Sequence, residues 1–281
     1  MTQDPATPGT AEPDRLHQTL VDQLVQRGAL SDPTVEAAFR AVPRHLFLPD
    51  VPLEQVYQDQ PVVIKYEQEM PISSSTQPGM MATMLHQLDL APGLRVLEIG
   101  AGTGYNAALL AQLVGSSGQV VTLDLDADIV TAAQAHLAAA GYTHVTVVTG
   151  DGANGYAASA PYDRIIVTAG AWDVFPAWQE QLAPNGRLVV PLIIMPGYML
   201  SVAFEVEDGR WHSRSAASCG FMPLRGLAMP AHHWPQRWST PELTLVPTEP
   251  PAAGSAVHAR IEKTWHELVL EWPATDSSNA A

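Results

Sequence analysis

The sequence predicts an α/β fold: a doubly wound, mostly parallel seven-stranded sheet with a C-terminal antiparallel hairpin, preceded by helices and followed by an extension. Three observations lead there. Between residues 79 and 192, short apolar runs alternate with stretches of helical periodicity, as parallel strands covered on both faces require. The first such run enters a glycine-rich turn, "EIGAGTGY" (98–105), which opens directly into a helix. Beyond that region, "MLSVAFEVEDGRWHSRSAAS" reads as two strands joined at Glu207-Asp208-Gly209-Arg210.

The elements follow in order. Residues 1–13 are rich in Pro, Thr and Ala without apolar periodicity and are expected to be a disordered tail. Residues 14–78 are expected to hold N-terminal helices and a substrate loop. In the first helix Leu16, Leu20, Leu24 and Val25 recur at helical spacing, and Gly28 closes it. The second starts with Asp32 as N-cap and Pro33 at the first helical position, and Pro43 ends it. The main domain, 79–226, begins with a helix over 79–89. Its strands are "RVLEIG" (95–100), "QVVTLDLD" (119–126), "HVTVVTGD" (144–151), "YDRIIVTAG" (162–170) and "GRLVVPL" (186–192). Between them lie the helices "YNAALLAQLVG", "DADIVTAAQAHLAAAG" and a third near 174–182. Residues 227–281 form a Pro- and Trp-rich extension in which Trp234, Trp238, Trp265 and Trp272 are expected to pack against the main domain.

Composition narrows the function. With 14 basic and 29 acidic residues the net charge is −15, a field that repels nucleic acid and anionic membranes. No apolar run approaches the roughly 20 residues of a membrane span. The N-terminus has neither a basic region nor an apolar core of a signal peptide. One cysteine, Cys219, excludes an internal disulfide and reads as a packed thiol. A cytoplasmic location is expected. No metal is expected either, since the adjacent histidines of "AHHW" (231–234) do not share a face and have no partner cluster.

The glycine turn carries the chemistry. Gly100, Gly102 and Gly104 lie between a strand and a helix N-terminus, a place where backbone amides face a ligand. Their Gly-x-Gly-x-Gly spacing departs from the dinucleotide Gly-x-Gly-x-x-Gly. Glu98, beneath them, suits a cationic ligand better than a pyrophosphate, which favours S-adenosylmethionine over NAD. No Lys/Tyr pair for hydride chemistry accompanies the turn. Asp124, at the end of the second strand, is placed to accept from ribose hydroxyls; Asp126 competes for that role and also reads as a helix N-cap. Asp151 and Gly152 in "GDG" are placed for an adenine amino group and for close passage of the ring. In "PISSSTQPGMM" (71–81), Ser75 or Thr76 is placed to cap the helix that begins at Pro78.

The blocks "VPRHLFLP", "VYQDQP", "SSTQP", "VLEIGAGTGYNAALLA", "GDG", "PYDRIIVTAG", "LAPNGRLVVPL" and "FMPL" occur in an order that resembles protein-L-isoaspartate O-methyltransferases, over roughly residues 14–226. The resemblance implies methyl transfer from S-adenosylmethionine, with S-adenosylhomocysteine as product, to a carboxylate. It implies a cofactor set of Glu98, Gly100, Gly102, Gly104, Asn106, Asp124, Leu125, Asp151 and Gly152. Thr76 aligns with the family's active-site serine, and Ser74, Ser75, Gly170 and Trp172 fall on the substrate side.

Departures from the family pattern shape the expected substrate. "KYEQEMPISSSTQP" replaces the Gly-x-Gly-Gln-Thr-Ile-Ser-Gln-Pro loop, His45 replaces a glutamate, and "VTAGAWDVFP" replaces Ala-Ala-Pro. These changes, with the added tail, resemble the branch that tailors ribosomally made peptides (lanthipeptides, lasso peptides and graspetides). The first expectation is therefore methylation of an aspartate in a constrained precursor peptide, whose ester cyclises to aspartimide and then opens to isoaspartate. The alternative is isoaspartate methylation in protein repair, and a lesser one is a catalytically silent binding module.

Overall fold

The structure, a computed structural model, describes residues 11–195, 198–207, 210–228 and 269–270. The first helix, α1 (Ala11–Gln26), starts earlier than expected: Glu12 and Asp14 favour its first turn, and Pro13 is tolerated there. Asp32 caps α2 (Pro33–Ala41) as predicted, its Oδ1 accepting from the Thr34 amide at 2.7 Å and from Val35 at 3.3 Å. A 3-10 turn (Arg44–Phe47) and a short helix, α3 (Leu53–Val56), follow.

The expected substrate loop is instead a hairpin of β1 (Val62–Glu67) and β2 (Met70–Ser75), a two-stranded sheet of its own. Its turn residues, Gln68 and Glu69, both have positive φ. Without glycine, no turn signal marked it in the sequence.

The main domain keeps the predicted rhythm. Helix α4 (Pro78–Leu88) leads to β3 (Arg95–Ile99), α5 (Tyr105–Val114), β4 (Gln119–Asp124), α6 (Ala127–Ala139), β5 (Thr146–Thr149), β6 (Tyr162–Val167), α7 (Pro176–Gln181) and β7 (Leu182–Met195). Strands β8 (Tyr198–Glu207) and β9 (Arg210–Cys219) form the antiparallel hairpin. The seven strands run in the order β9-β8-β7-β6-β3-β4-β5, and a two-residue strand, β10 (Val269–Leu270), pairs with the outer edge of β9. Strands β3 to β7 are mutually parallel; β8 runs antiparallel to them, and β9, antiparallel to β8, runs in the parallel direction again. The four tryptophans of the extension and the "AHHW" histidines lie outside the described residues.

Alternation along each strand builds two cores. Val96, Val120, Ile166 and Val189 face the cluster formed with α1, α2, α4 and α5. Leu97, Val121, Ile165 and Leu188 face the opposite cluster, which contains Trp178 and Trp211. A sheet covered on both faces is why its central strands read as unbroken apolar runs. Strand order reverses between β3 and β6, so the carboxyl ends of β3, β4 and β6 open a crevice there.

Candidate active site

At that switch point Ile99 and Leu123 end their strands, and the chain turns through Gly100, Gly102 and Gly104 with φ of 104°, 51° and 86°. A side chain at Gly100 would collide with Thr168, whose hydroxyl donates to the Gly100 carbonyl at 2.7 Å. Only glycine lets the loop lie this close to the end of β6. Gly104 does a different job: it opens α5 in the left-handed region, where a Cβ would sit 3.2 Å from Leu137 of α6.

Gly100, Gly102, Asp124, Leu125 and Gly152 all line one cleft, together with Ser73 and Ser74 from β2. Asp124 Oδ2 accepts from the Gly102 amide at 3.1 Å, and Oδ1 from the Asp126 amide at 3.3 Å. Burial raises the Asp124 carboxyl above its ordinary pKa, with those amides pulling the other way.

Glu98 and Asn106 lie beneath the cleft rather than on its wall. Glu98 is completely buried, and its Oε1 accepts from Asn106 Nδ2 at 2.7 Å. Oε2 and the Asn106 Oδ1 have no hydrogen-bond partner. Burial pushes the Glu98 carboxyl up to about 7; Thr122 and Asn106 favour the charged form, though Thr122 makes no hydrogen bond to Oε2. Such an unsatisfied pair beneath a glycine loop fits a cationic ligand above it.

Several expected roles change. Asp126 sits at the N-cap of α6, yet its carboxylate bonds no helix amide. Oδ2 accepts instead from Lys65 Nζ at 2.8 Å and Arg225 Nη2 at 2.6 Å. Against burial, which acts upward, these cations hold its carboxyl below the ordinary value. Asp151 caps a 3-10 turn: its oxygens accept from the Ala153 amide at 3.0 Å and the Leu227 amide at 2.7 Å, which leaves it off the cleft wall.

The hydroxyl cluster does not cap α4. The N-cap is Gln77, without a side-chain bond, and the Gly79 amide is satisfied by Asp59 Oδ1 at 2.8 Å. Ser75 is buried with its hydroxyl unpartnered. Thr76 is half-buried, adjoins the strand that lines the cleft, and accepts through its carbonyl from Arg44 Nη1 at 3.0 Å.

The far wall comes from residues 221–225, present in the sequence only as the block "FMPL". Gly170 holds this segment, exchanging 2.8 Å bonds with Met222 and Leu224. Trp172 stands two residues beyond, half-buried. Spacing along the chain carried no sign of this wall, because it forms only once the β8–β9 hairpin returns the chain to the sheet's carboxyl end.

Among the described residues, no group of three or more His, Cys, Asp or Glu is placed to hold a metal, and no helix is long and apolar enough to cross a membrane.

Comparison with known proteins gives a consistent result. Protein-L-isoaspartate O-methyltransferase 2 of Archaeoglobus fulgidus is 40% identical over 213 residues, 76% of this chain and 94% of the relative. The protein-L-isoaspartate O-methyltransferase of Hyperthermus butylicus is 40% identical over 215 residues, 74% of this chain and 87% of its own. A solved structure described as a protein-L-isoaspartate O-methyltransferase is 32% identical, with a TM-score of 0.69 over 75% of this chain and 67% of that one. The architecture is that of the class I S-adenosylmethionine-dependent methyltransferases. Residues 15–228 match the protein-L-isoaspartate(D-aspartate) O-methyltransferase family, to which this chain therefore belongs.

Proposed function

We propose that this protein methylates the free carboxylate of L-isoaspartyl residues in proteins or peptides, using S-adenosylmethionine. One observation carries the reading: relatives about 40% identical across three quarters of the chain bear that name. This reverses the order expected from the altered loop, in which an aspartate of a modified precursor peptide came first. That reading keeps one support, the substituted hairpin beside the cleft.

S-adenosylmethionine supplies a methyl group on a sulfonium. An acceptor carboxyl with a pKa near about 4 is already ionised at neutral pH, so no general base is required. Its oxygen forms the new bond to the methyl carbon as the carbon–sulfur bond breaks and the electron pair stays on sulfur. The two opposite charges cancel and no proton moves. The chain's task is placement and exclusion of water. In this reading Asp124 accepts from the ribose, Gly100 and Gly102 let the backbone approach, and Gly152 passes beside the base. Glu98 and Asn106 answer the cationic end from below. Thr76 donates to one carboxylate oxygen and turns the other toward the methyl group; Ser74, Ser75, Gly170 and Trp172 flank the acceptor.

The test uses matched peptides carrying L-isoaspartate, L-aspartate, or aspartate within a cyclised peptide, followed by mass spectrometry. A gain of one methyl on the isoaspartyl peptide alone supports the proposal. Modification of the cyclised aspartyl peptide alone would transfer the assignment to peptide tailoring.

A further inference from the structure

Arg44 is completely buried, and among the described residues it forms no ion pair. Its Nη1 donates to the Thr76 carbonyl at 3.0 Å and its Nη2 to the Ser75 carbonyl at 3.4 Å, while Nε has no partner. The guanidinium carbon lies 5.2 Å from the centre of the Tyr105 ring. Tyr105 is itself buried between Phe39 and Phe47, and it is the first residue of α5, directly after the glycine loop. One cation thus touches both the start of the cofactor-loop helix and the backbone that carries the acceptor hydroxyl.

That arrangement is a poor way to gain stability alone. A buried cation whose nearest carboxylate, Asp59, acts on it only through space carries a desolvation penalty that an apolar side chain of the same volume would avoid. What the guanidinium offers and an apolar group does not is a rigid planar fork reaching two consecutive carbonyls. Drawing both carbonyls inward fixes how the peptide planes at Ser75 and Thr76 are turned, and so where the Thr76 side chain points.

We propose that Arg44 is the positioning residue of the acceptor site: clamped against Tyr105, it fixes the Ser75–Thr76 backbone and sets the distance from the Thr76 hydroxyl to the methyl donor. The inference rests on the reading of Thr76 as the carboxylate-orienting hydroxyl. The charge, which Asp59 offsets only through space, has a second effect, making the neighbourhood of Thr76 more favourable for an anion in an otherwise acidic protein.

Two substitutions test this in the full-length protein. Arg44→Lys keeps the charge but loses the fork; Arg44→Met loses both. Amide exchange at residues 70–77, S-adenosylhomocysteine affinity and steady-state methylation of an isoaspartyl peptide are measured for each. Arg44→Lys is expected to speed exchange at residues 75–77 and lower kcat on the order of 10²-fold, with KM nearly unchanged. Arg44→Met adds a rise in KM, and both keep S-adenosylhomocysteine affinity within about twofold of the parent. Exchange and kcat at parental values in Arg44→Lys would overturn the proposal. So would a loss of cofactor affinity in step with activity, which marks a general structural role. Should the parent protein leave the isoaspartyl peptide unmethylated, the function reading fails, and the exchange data still decide whether Arg44 holds the strand.

Discussion

Asp126 and Arg225, 99 positions apart, meet in a 2.6 Å ion pair at the mouth of the cleft. Lys65 of the hairpin reaches the same Asp126 oxygen at 2.8 Å and Asp128 at 2.7 Å. Both covers of the cleft, the β1–β2 hairpin through Lys65 and the 221–225 segment through Arg225, are therefore tied to the residue after Asp124-Leu125.

Moving either cover away from Asp126 would break those contacts. A partly exposed ion pair contributes about 0.2–1 kcal/mol, so Arg225→Ala is expected to speed S-adenosylhomocysteine dissociation by up to about fivefold with little change in association. Raised salt should reproduce part of the effect in the parent. Stopped-flow dissociation rates that match in the two proteins would exclude a latch at this position.

In the proposed function Asp124 is the acid that accepts from the ribose. Removing a charged acceptor from a partly buried hydrogen bond costs about 1.5–3 kcal/mol, so Asp124→Ala should weaken S-adenosylhomocysteine roughly ten- to a hundredfold by calorimetry. Parental affinity in that variant would move the ribose contact elsewhere.

Helix capping and the proposed acceptor role fall on different residues. Asp59→Ala removes the bond to the Gly79 amide and should lower stability by about 1 kcal/mol. Thr76→Ala should leave the unfolding temperature unchanged while reducing kcat and sparing cofactor binding. The reverse pattern, a destabilised Thr76→Ala with normal turnover, would return the hydroxyl to a structural role.

Glu98 has a folded pKa of about 7 against an ordinary 4.5, so the folded protein holds its proton where the unfolded chain has released it. Its contribution to stability is fully present below 4.5 and is lost as pH rises through about 7. Glu98→Gln removes that dependence. The variant's stability relative to the parent should therefore rise between pH 4.5 and 7.5, by at most about 3 kcal/mol. Denaturant titrations at the two pH values check it; a constant difference would mean that Glu98 ionises normally.

The strands, the glycine turn and the acid at Asp124 were legible because each is written in neighbouring residues: apolar runs with period two, helices with period 3.6, glycine where φ is positive. Even the first cap, Asp32, lies beside the amides it serves. Assignment failed where a plausible local partner was not the one used. Asp126 has the sequence position of a helix cap but bonds to Lys65 and Arg225; the α4 cap comes from Asp59, twenty residues upstream, rather than from the adjacent hydroxyls. The β1–β2 hairpin carries no local turn signal, because its positive-φ turn residues are Gln68 and Glu69 rather than glycine.

By itself, then, the chain's sequence determined the parallel sheet, its glycine loop, the acid beside it and the family resemblance. Tertiary structure decided which side chains share the cleft, which carboxylates are already engaged, and that a buried arginine grips the end of β2. The physical reason is separation: Arg44 to Thr76, Lys65 to Asp126 and Arg225 to Asp126 span 32, 61 and 99 positions. No helical or strand period records contacts that exist only after the sheet brings distant segments to one edge.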